Sequence, residues 1–245
     1  MLVHEPESRT KLKNTASNVF CTSVATLALQ LVEHDRHPKI IERGLAWLTM
    51  ARNEDCSWGL TTKSNGRVHE TFQALRTLSF EQSYQDELAR GAKWLLARQN
   101  RDGGWGSIEG TTSDPHLTSE VISLLYMIDR ERYLKQIADG IRWLKRHQNR
   151  NGSWDIISCF DCTGATLYTL LTCNEDIDSE YVQRTVRWLL HKQSSDGSWA
   201  DYLPSRRGSV ISTSMSIRAL VLVRRRLGKG IQEKKRNRGS SLTLR

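Results

Sequence analysis

Arg90-Gly91-Ala92-Lys93-Trp94-Leu95-Leu96-Ala97-Arg98-Gln99-Asn100-Arg101-Asp102-Gly103-Gly104-Trp105 decides the fold, because four versions of it run through the 245-residue chain. All eight tryptophans fall into pairs with 11-residue spacing: Trp47 and Trp58, Trp94 and Trp105, Trp143 and Trp154, Trp188 and Trp199. The first members follow one another at intervals of 47, 49 and 45 residues. Self-similarity at such a period is the mark of stacked supersecondary units. After each first Trp comes Leu, then Gln five positions on (Gln99, Gln148, Gln193; Arg52 departs), Asp or Asn at eight (Asp55, Asp102, Asn151, Asp196) and Gly at nine (Gly103, Gly152, Gly197; Cys56 departs). A helix stopped by an Asx-Gly turn accounts for this order, since Gly accepts the left-handed backbone of a helix end and an Asx side chain hydrogen-bonds into the turn. Gly44, Gly91 and Gly140 stand three residues before the first Trp, with Thr185 as the exception, and predict close approach of a neighbouring helix.

Between these segments lie others aligned on Thr22, Thr71, Thr118, Thr163 and Thr213, followed mainly by aliphatic residues. Residues 15–32 carry no charge, 158–174 carry only Asp161 and 209–223 carry only Arg218. Helices apolar nearly all round are buried helices, whereas the Trp-Leu segments carry Arg43, Arg90, Lys145 and Arg184 as amphipathic outer helices do. The pattern predicts inner helices near 15–33, 68–82, 115–128, 160–173 and 208–223, alternating with outer helices near 39–53, 86–99, 134–149 and 179–194. No segment alternates with period two, so the expected class is all-α, an α/α toroid of concentric helix layers.

The repeat resembles the QW repeat of squalene and oxidosqualene cyclases, protein prenyltransferase β subunits and class II terpene cyclases. The resemblance covers roughly residues 43–200. It implies a single toroid in which Trp47, Trp58, Trp94, Trp105, Trp143, Trp154, Trp188, Trp199, Gln99, Gln148 and Gln193 are structural and tie neighbouring helices together. For activity it implies protonation-initiated, class II cyclisation or isomerisation of an isoprenoid. The same toroid also hosts proteins without catalysis that bind a lipid or a protein partner, so both readings stand at this point.

The candidate chemistry lies two residues before the aligned threonines, where Phe20, His69, His116, Asp161 and Ile211 share one level. Asp161 is the sole charge of its helix; burial raises a carboxyl's pKa and keeps it protonated, as a general acid requires. In class II cyclases an Asp-x-Asp-Asp-Thr motif opens the corresponding helix and its middle Asp donates the proton. Cys159-Phe160-Asp161-Cys162-Thr163 matches that motif at the middle Asp and the Thr only. Asp161 is therefore the expected acid, with His116 and His69 as tuning neighbours, and Phe160, Tyr168, Phe72 and Tyr126 as the aromatic residues expected to contact substrate. His69, His116 and Asp161 are chemically apt for Fe or Zn. Helix axes about 8–10 Å apart place the roots of three such side chains across roughly 20 Å, however, so no metal ligand is assigned. No cofactor is implied.

Residues 1–14 read as an N-terminal extension, 15–223 as the toroid and 224–245 as a basic, disordered tail. The tail holds nine Lys or Arg against Glu233 alone, so that of the formal net charge of +9 only +1 belongs to everything before it. Such a tail suits contact with an anionic membrane surface or nucleic acid. Five cysteines without disulfide spacing fit a reducing cytoplasm, with the tail allowing a peripheral membrane location. A lone Cys159-x-x-Cys162 supplies too few ligands for structural zinc. The expected partners are an isoprenoid or other apolar small molecule, and a protein partner or second copy where the ring is incomplete.

Overall fold

The computed structural model describes residues 17–32, 35–154, 162–200 and 208–240. Among them the inner helices are α1 (Val19–Val32), α3 (Val68–Leu78), α5 (Pro115–Asp129), α7 (Cys162–Thr172) and α9 (Val210–Ser240). The outer helices are α2 (Pro38–Ala51), α4 (Gln85–Leu96), α6 (Leu134–Arg146) and α8 (Glu180–Lys192). The inner helices pack in a row, α1 on α3, α3 on α5, α5 on α7 and α7 on α9, and the outer helices α2, α4, α6 and α8 back onto α1, α3, α5 and α7. Two isolated bridges, Gln99 with Trp105 and Ala200 with Gly208, are the only β pairing among the described residues.

Each recurring position of the repeat has its own physical task. The second Trp is sealed in the core, with Trp58, Trp105 and Trp154 at most 1% exposed and Trp199 3%. Its indole N–H donates back to the end of the outer helix, Trp58 to Leu48 O, Trp105 to Leu95 O, Trp154 to Leu144 O and Trp199 to Leu189 O, at 2.7 to 2.8 Å. Its backbone N–H donates to the hydroxyl of the aligned threonine, Thr71, Thr118, Thr163 or Thr213, at 2.9 to 3.0 Å. That bond explains why threonine recurs near the start of every following inner helix: the hydroxyl satisfies a buried peptide donor that has no helical partner.

The Asx residue at position eight serves two clients. One Asp102 oxygen accepts from Gly104 N at 3.0 Å while the other accepts from the indole of Trp143, the first Trp of the next repeat, at 2.9 Å. Asp55 likewise accepts from Ser57 N and from Trp94 Nε1. Asn151 has one oxygen and spends it on Ser153 N, and the buried Nε1 of Trp188 has no hydrogen-bond partner among the described residues. Glutamine adds a second tie: Gln99 Nε2 donates to Gly103 O and to Gln136 O at the start of α6, and Gln148 Nε2 to Gly152 O, Tyr181 O and Thr185 Oγ1.

Two glycine positions show their need for the residue. Gly103 has φ of +99°, and in the copy that lacks the glycine Cys56 takes φ of +64° all the same. At Gly91 a Cβ would lie 2.6 Å from Leu75 Cδ2, so α4 could not approach α3 as it does. Thr185, the exception in that position, turns its hydroxyl to Gly152 O and Tyr181 O.

The tail corrects an expectation. The helix that begins at Val210 continues to Ser240, so 224–240 are helical rather than disordered. Arg, Lys, Gln and Glu are good helix formers, and an existing helix is cheap to extend once nucleated. Arg226 also anchors it, donating to Leu171 O, to Glu175 O at 3.2 Å and to Asn174 Oδ1 at 3.1 Å.

Trp105→Ala should destabilise the protein by about 3–5 kcal/mol, from lost burial plus the cavity left behind; a melting temperature unchanged within error contradicts the role given to the ring. Asn151→Asp should gain about 1 kcal/mol by supplying the oxygen that Trp188 lacks. Equilibrium urea unfolding measures both, and a loss of stability on Asn151→Asp counts against the two-client account of that position.

Candidate functional site

His69 and His116 are the second residues of α3 and α5, so the side-by-side packing of these helices brings both imidazoles to one level near the helix N-termini. Their ring centroids are 5.9 Å apart, and Phe20 from α1 stacks on His69 at 5.4 Å. Convergence from adjacent helices is thus closer than axis spacing alone suggested, because both side chains lean inward over the turn that precedes them.

The carboxylate between the rings is Glu120, which the repeat alignment did not single out. Glu120 Oε2 lies 2.8 Å from His69 Nδ1, and Oε1 lies 3.3 Å from His116 Nε2 and accepts from Gln73 Nε2 at 3.3 Å. Glu120 sits four residues after His116 on the same helix and is the sole Asp, Glu, Lys or Arg between Pro115 and Ile128. That i, i+4 pairing was the available signal. Burial by itself raises the pKa of Glu120, but the charges and hydrogen bonds of His116 and His69 outweigh it and hold the group down to about 2. Burial lowers the pKa of His69, and the hydrogen bond and charge of Glu120 reverse this, leaving His69 above its ordinary value.

The other expected residues are placed unevenly. Asp161 and Phe160 lie outside the described residues, as does Cys159; α7 begins at the next residue, Cys162, which is buried. Phe72 is 4% exposed and belongs to the hydrophobic core cluster. Tyr126, with Leu134, Ile137 and Cys173, lines a cavity of ≈ 290 Å³ by α5 and α6. It stands ten residues, or about 15 Å of helix, from His116. Tyr168 remains on the concave side, half-buried beneath the guanidinium of Arg218 at 4.6 Å.

Chemically the cluster is a carboxylate clamped by two imidazoles. Its ligand atoms lie within 4.8 Å of one another, so His69, His116 and Glu120 could hold a metal ion of the Zn or Fe type, with Glu120 in the place the sequence reading gave to Asp161. The positive charge of Arg76 also acts on Glu120, which weighs against a further cation there.

Residues 7–155 match the prenyltransferase alpha-alpha toroid domain, and residues 108–216 match the squalene-hopene cyclase C-terminal domain. The chain belongs to this prenyltransferase and cyclase toroid family. No curated protein matches it in sequence. Among solved structures it is similar to the type II terpene cyclase MstE from Scytonema, at 15% identity and TM-score 0.68 over 83% of this chain and 62% of that one. An MstE variant in complex with its substrate, geranylgeranyl dihydroxybenzoate, gives 15% identity and TM-score 0.68, covering 86% of this chain and 65% of that one. The ent-copalyl diphosphate synthase from Streptomyces platensis gives 19% identity and TM-score 0.60, over 84% of this chain and 39% of that one. The chain spans less than two thirds of the length of each, and the likeness shows the fold. Among the described residues no helix is long and apolar enough to cross a membrane.

The cluster sets a pH signature. Glu120 titrates below its ordinary 4.5, so its contribution to stability is complete above about pH 4.5 and is lost as pH falls toward about 2. His69 titrates above its ordinary 6.5, so its contribution is complete below 6.5 and fades as pH rises through the raised value. The stability difference between wild type and Glu120→Gln should therefore be largest between pH 4.5 and 6.5, on the order of 1–3 kcal/mol. A difference that does not vary with pH contradicts the assignment.

Proposed function

We propose that the chain is a class II terpene cyclase-like protein that starts cyclisation or isomerisation of an isoprenoid by protonation, with Asp161 as the general acid. The observation that carries this reading is the hydrogen-bonded His69–Glu120–His116 cluster at the N-terminal level of the inner helices, the level to which the repeat register assigns Asp161. The Asp161 carboxyl gives its proton to an alkene carbon, or to an epoxide oxygen whose C–O bond then breaks to leave the cation and a hydroxyl. Internal double bonds then attack the cation in turn, and loss of a proton or capture of water ends the sequence. An imidazolium near the acid stabilises the carboxylate left by proton transfer, and Glu120 favours the protonated form of His69. His69 and His116 are the groups placed to play that part. Membership of the toroid family and similarity to cyclases such as MstE, one of whose structures holds a geranylgeranyl substrate, support an isoprenoid as the ligand.

A second reading, a toroid that binds a lipid or protein without catalysis, draws on the terminal helices. Phe20, Val24, Leu31 and Val32 of α1 are exposed, as are Ile211, Ile217 and Val221 of α9. Exposed apolar rows on the two ends of the helix row suit a contact surface.

Wild type should convert at least one of a farnesyl, geranylgeranyl or squalene-type polyene to a cyclic or isomerised product seen by gas chromatography and mass spectrometry. Asp161→Asn should fold with unchanged circular dichroism and lose about 10²- to 10⁴-fold in rate. Wild-type inertness on all three, or full turnover by the Asn variant, rejects the catalytic reading and leaves the binding one.

A further inference from the structure

Neighbouring inner helices meet in a fixed register. Thr77 Oγ1 of α3 donates to Ser23 O of α1 at 3.1 Å, and Thr169 Oγ1 of α7 donates to Ser119 O of α5 at 3.2 Å. A Cβ on Gly164 of α7 would lie 2.8 Å from Ser216 N of α9. Counted from the aligned threonines, the earlier helix of each pair uses the residue one place on (Ser23, Ser119, Gly164). The later helix uses those three or six places on (Ser216, Thr77, Thr169). Short side chains at these places set the close spacing of the helix axes.

Burial follows that register until the row ends. Three places after the threonine Ala74, Val121, Thr166 and Ser216 are buried, and six places after it so are Thr77, Leu124, Thr169 and Ala219. Their equivalents on α1, Ala25 and Ala28, are exposed. One place after the threonine Ser23, Phe72, Ser119 and Gly164 are buried, while Ser214 of α9 is exposed. Among the described residues α1 thus keeps open the face that receives a preceding inner helix, and α9 the face that receives a following one. The α1 face is an exposed stripe without a charge, Phe20, Cys21, Val24, Ala25, Ala28 and Leu31, at helical spacing. On α9 the exposed Ile217 and Val221 continue from Ser214, and Arg218 is drawn aside over the Tyr168 ring at 4.6 Å.

Each open face complements the other rather than itself. The α9 face offers a serine at the first place and the α1 face alanines at the third and sixth, the two halves of the joint that α1 makes with α3, α5 with α7 and α7 with α9. One chain carries both halves at opposite ends of its row, so the occupant they describe is a second copy of the chain. We infer that α9 of one copy docks on α1 of another and continues the inner row across the boundary in the same register. The contact is head to tail, each copy giving one face and receiving on the other. It brings Ile211 of one copy beside Phe20 of the next, since both stand two residues before their threonines. Phe20 stacks on His69, so the second copy adds an apolar side chain to the level of the histidine cluster. The inference rests on the second reading above for the exposed helices and names what covers them; it does not depend on catalysis.

Sedimentation equilibrium of the full chain across about 1 to 100 µM tests the joint, because a contact of one helix pair belongs to the small, weak class of interfaces. Wild type should rise above monomer mass with concentration, and should do so equally in about 0.5 M salt, since the contact does not depend on charge. Ala25→Glu on the α1 face and Ser214→Glu on the α9 face should each weaken association about tenfold or more, by burying a carboxylate without a partner. Circular dichroism checks that both fold, and Ala28→Glu with Val221→Glu form a second pair for the same test. Leu190→Glu, at an exposed apolar position of α8, should leave association unchanged. Mixing the Ala25 and Ser214 variants brings one intact α9 face to one intact α1 face, so a 1:1 pair should form and go no further. Monomer at every concentration overturns the joint. So does association that survives the variants, that vanishes in salt and so belongs to the basic residues after Val223, or that fails to return in the mixture. An active monomer overturns the joint and leaves the cyclase reading standing; an inert protein that self-associates upholds the joint and rejects only the cyclase reading.

Discussion

The joint between each tryptophan and the threonine of the following inner helix is the constraint on which the architecture depends. The threonine hydroxyl accepts the peptide N–H of the tryptophan, and the indole N–H is spent on the last turn of the outer helix. One residue thereby fixes the end of an outer helix against the beginning of the next inner one. The ring then fills the space between the layers, where a large aromatic contributes more burial than any other side chain. Repetition of this joint at Trp58, Trp105, Trp154 and Trp199 gives the inner helices that follow them the same height, and hence gives residues at equal distance from each threonine a common level.

That common level is what turns a scaffold into a site. Polar residues far apart in the sequence come together only because the threonine joint sets their register. His69 and His116 close on Glu120 at one level. There a buried carboxylate is satisfied by two imidazoles and an amide.

The departures from the repeat are as informative as the agreements. Cys56 keeps the left-handed turn without glycine, and Thr185 replaces close helix approach by two hydrogen bonds. Asn151 loses one acceptor and leaves Trp188 without a partner among the described residues. All three lie in the outer layer or its turns, where compensation is local and inexpensive. Changes in the inner row alter what the concave face can bind.

The sequence by itself determined the helices, their alternation and the inner or outer place of each, because tryptophan spacing, Asx-Gly turns and charge-free segments are local patterns that survive without knowledge of partners. It also placed His69 and His116 at one level, since that follows from counting back from Thr71 and Thr118. Tertiary structure alone decided that Glu120 completes the cluster, because an acid four residues after a histidine reads equally as a solvated pair until α3 is seen to bury it. It alone placed Phe72 in the core cluster and Tyr126 beside the cavity by α6, since aromatic side chains on inner helices look alike until their neighbours are known.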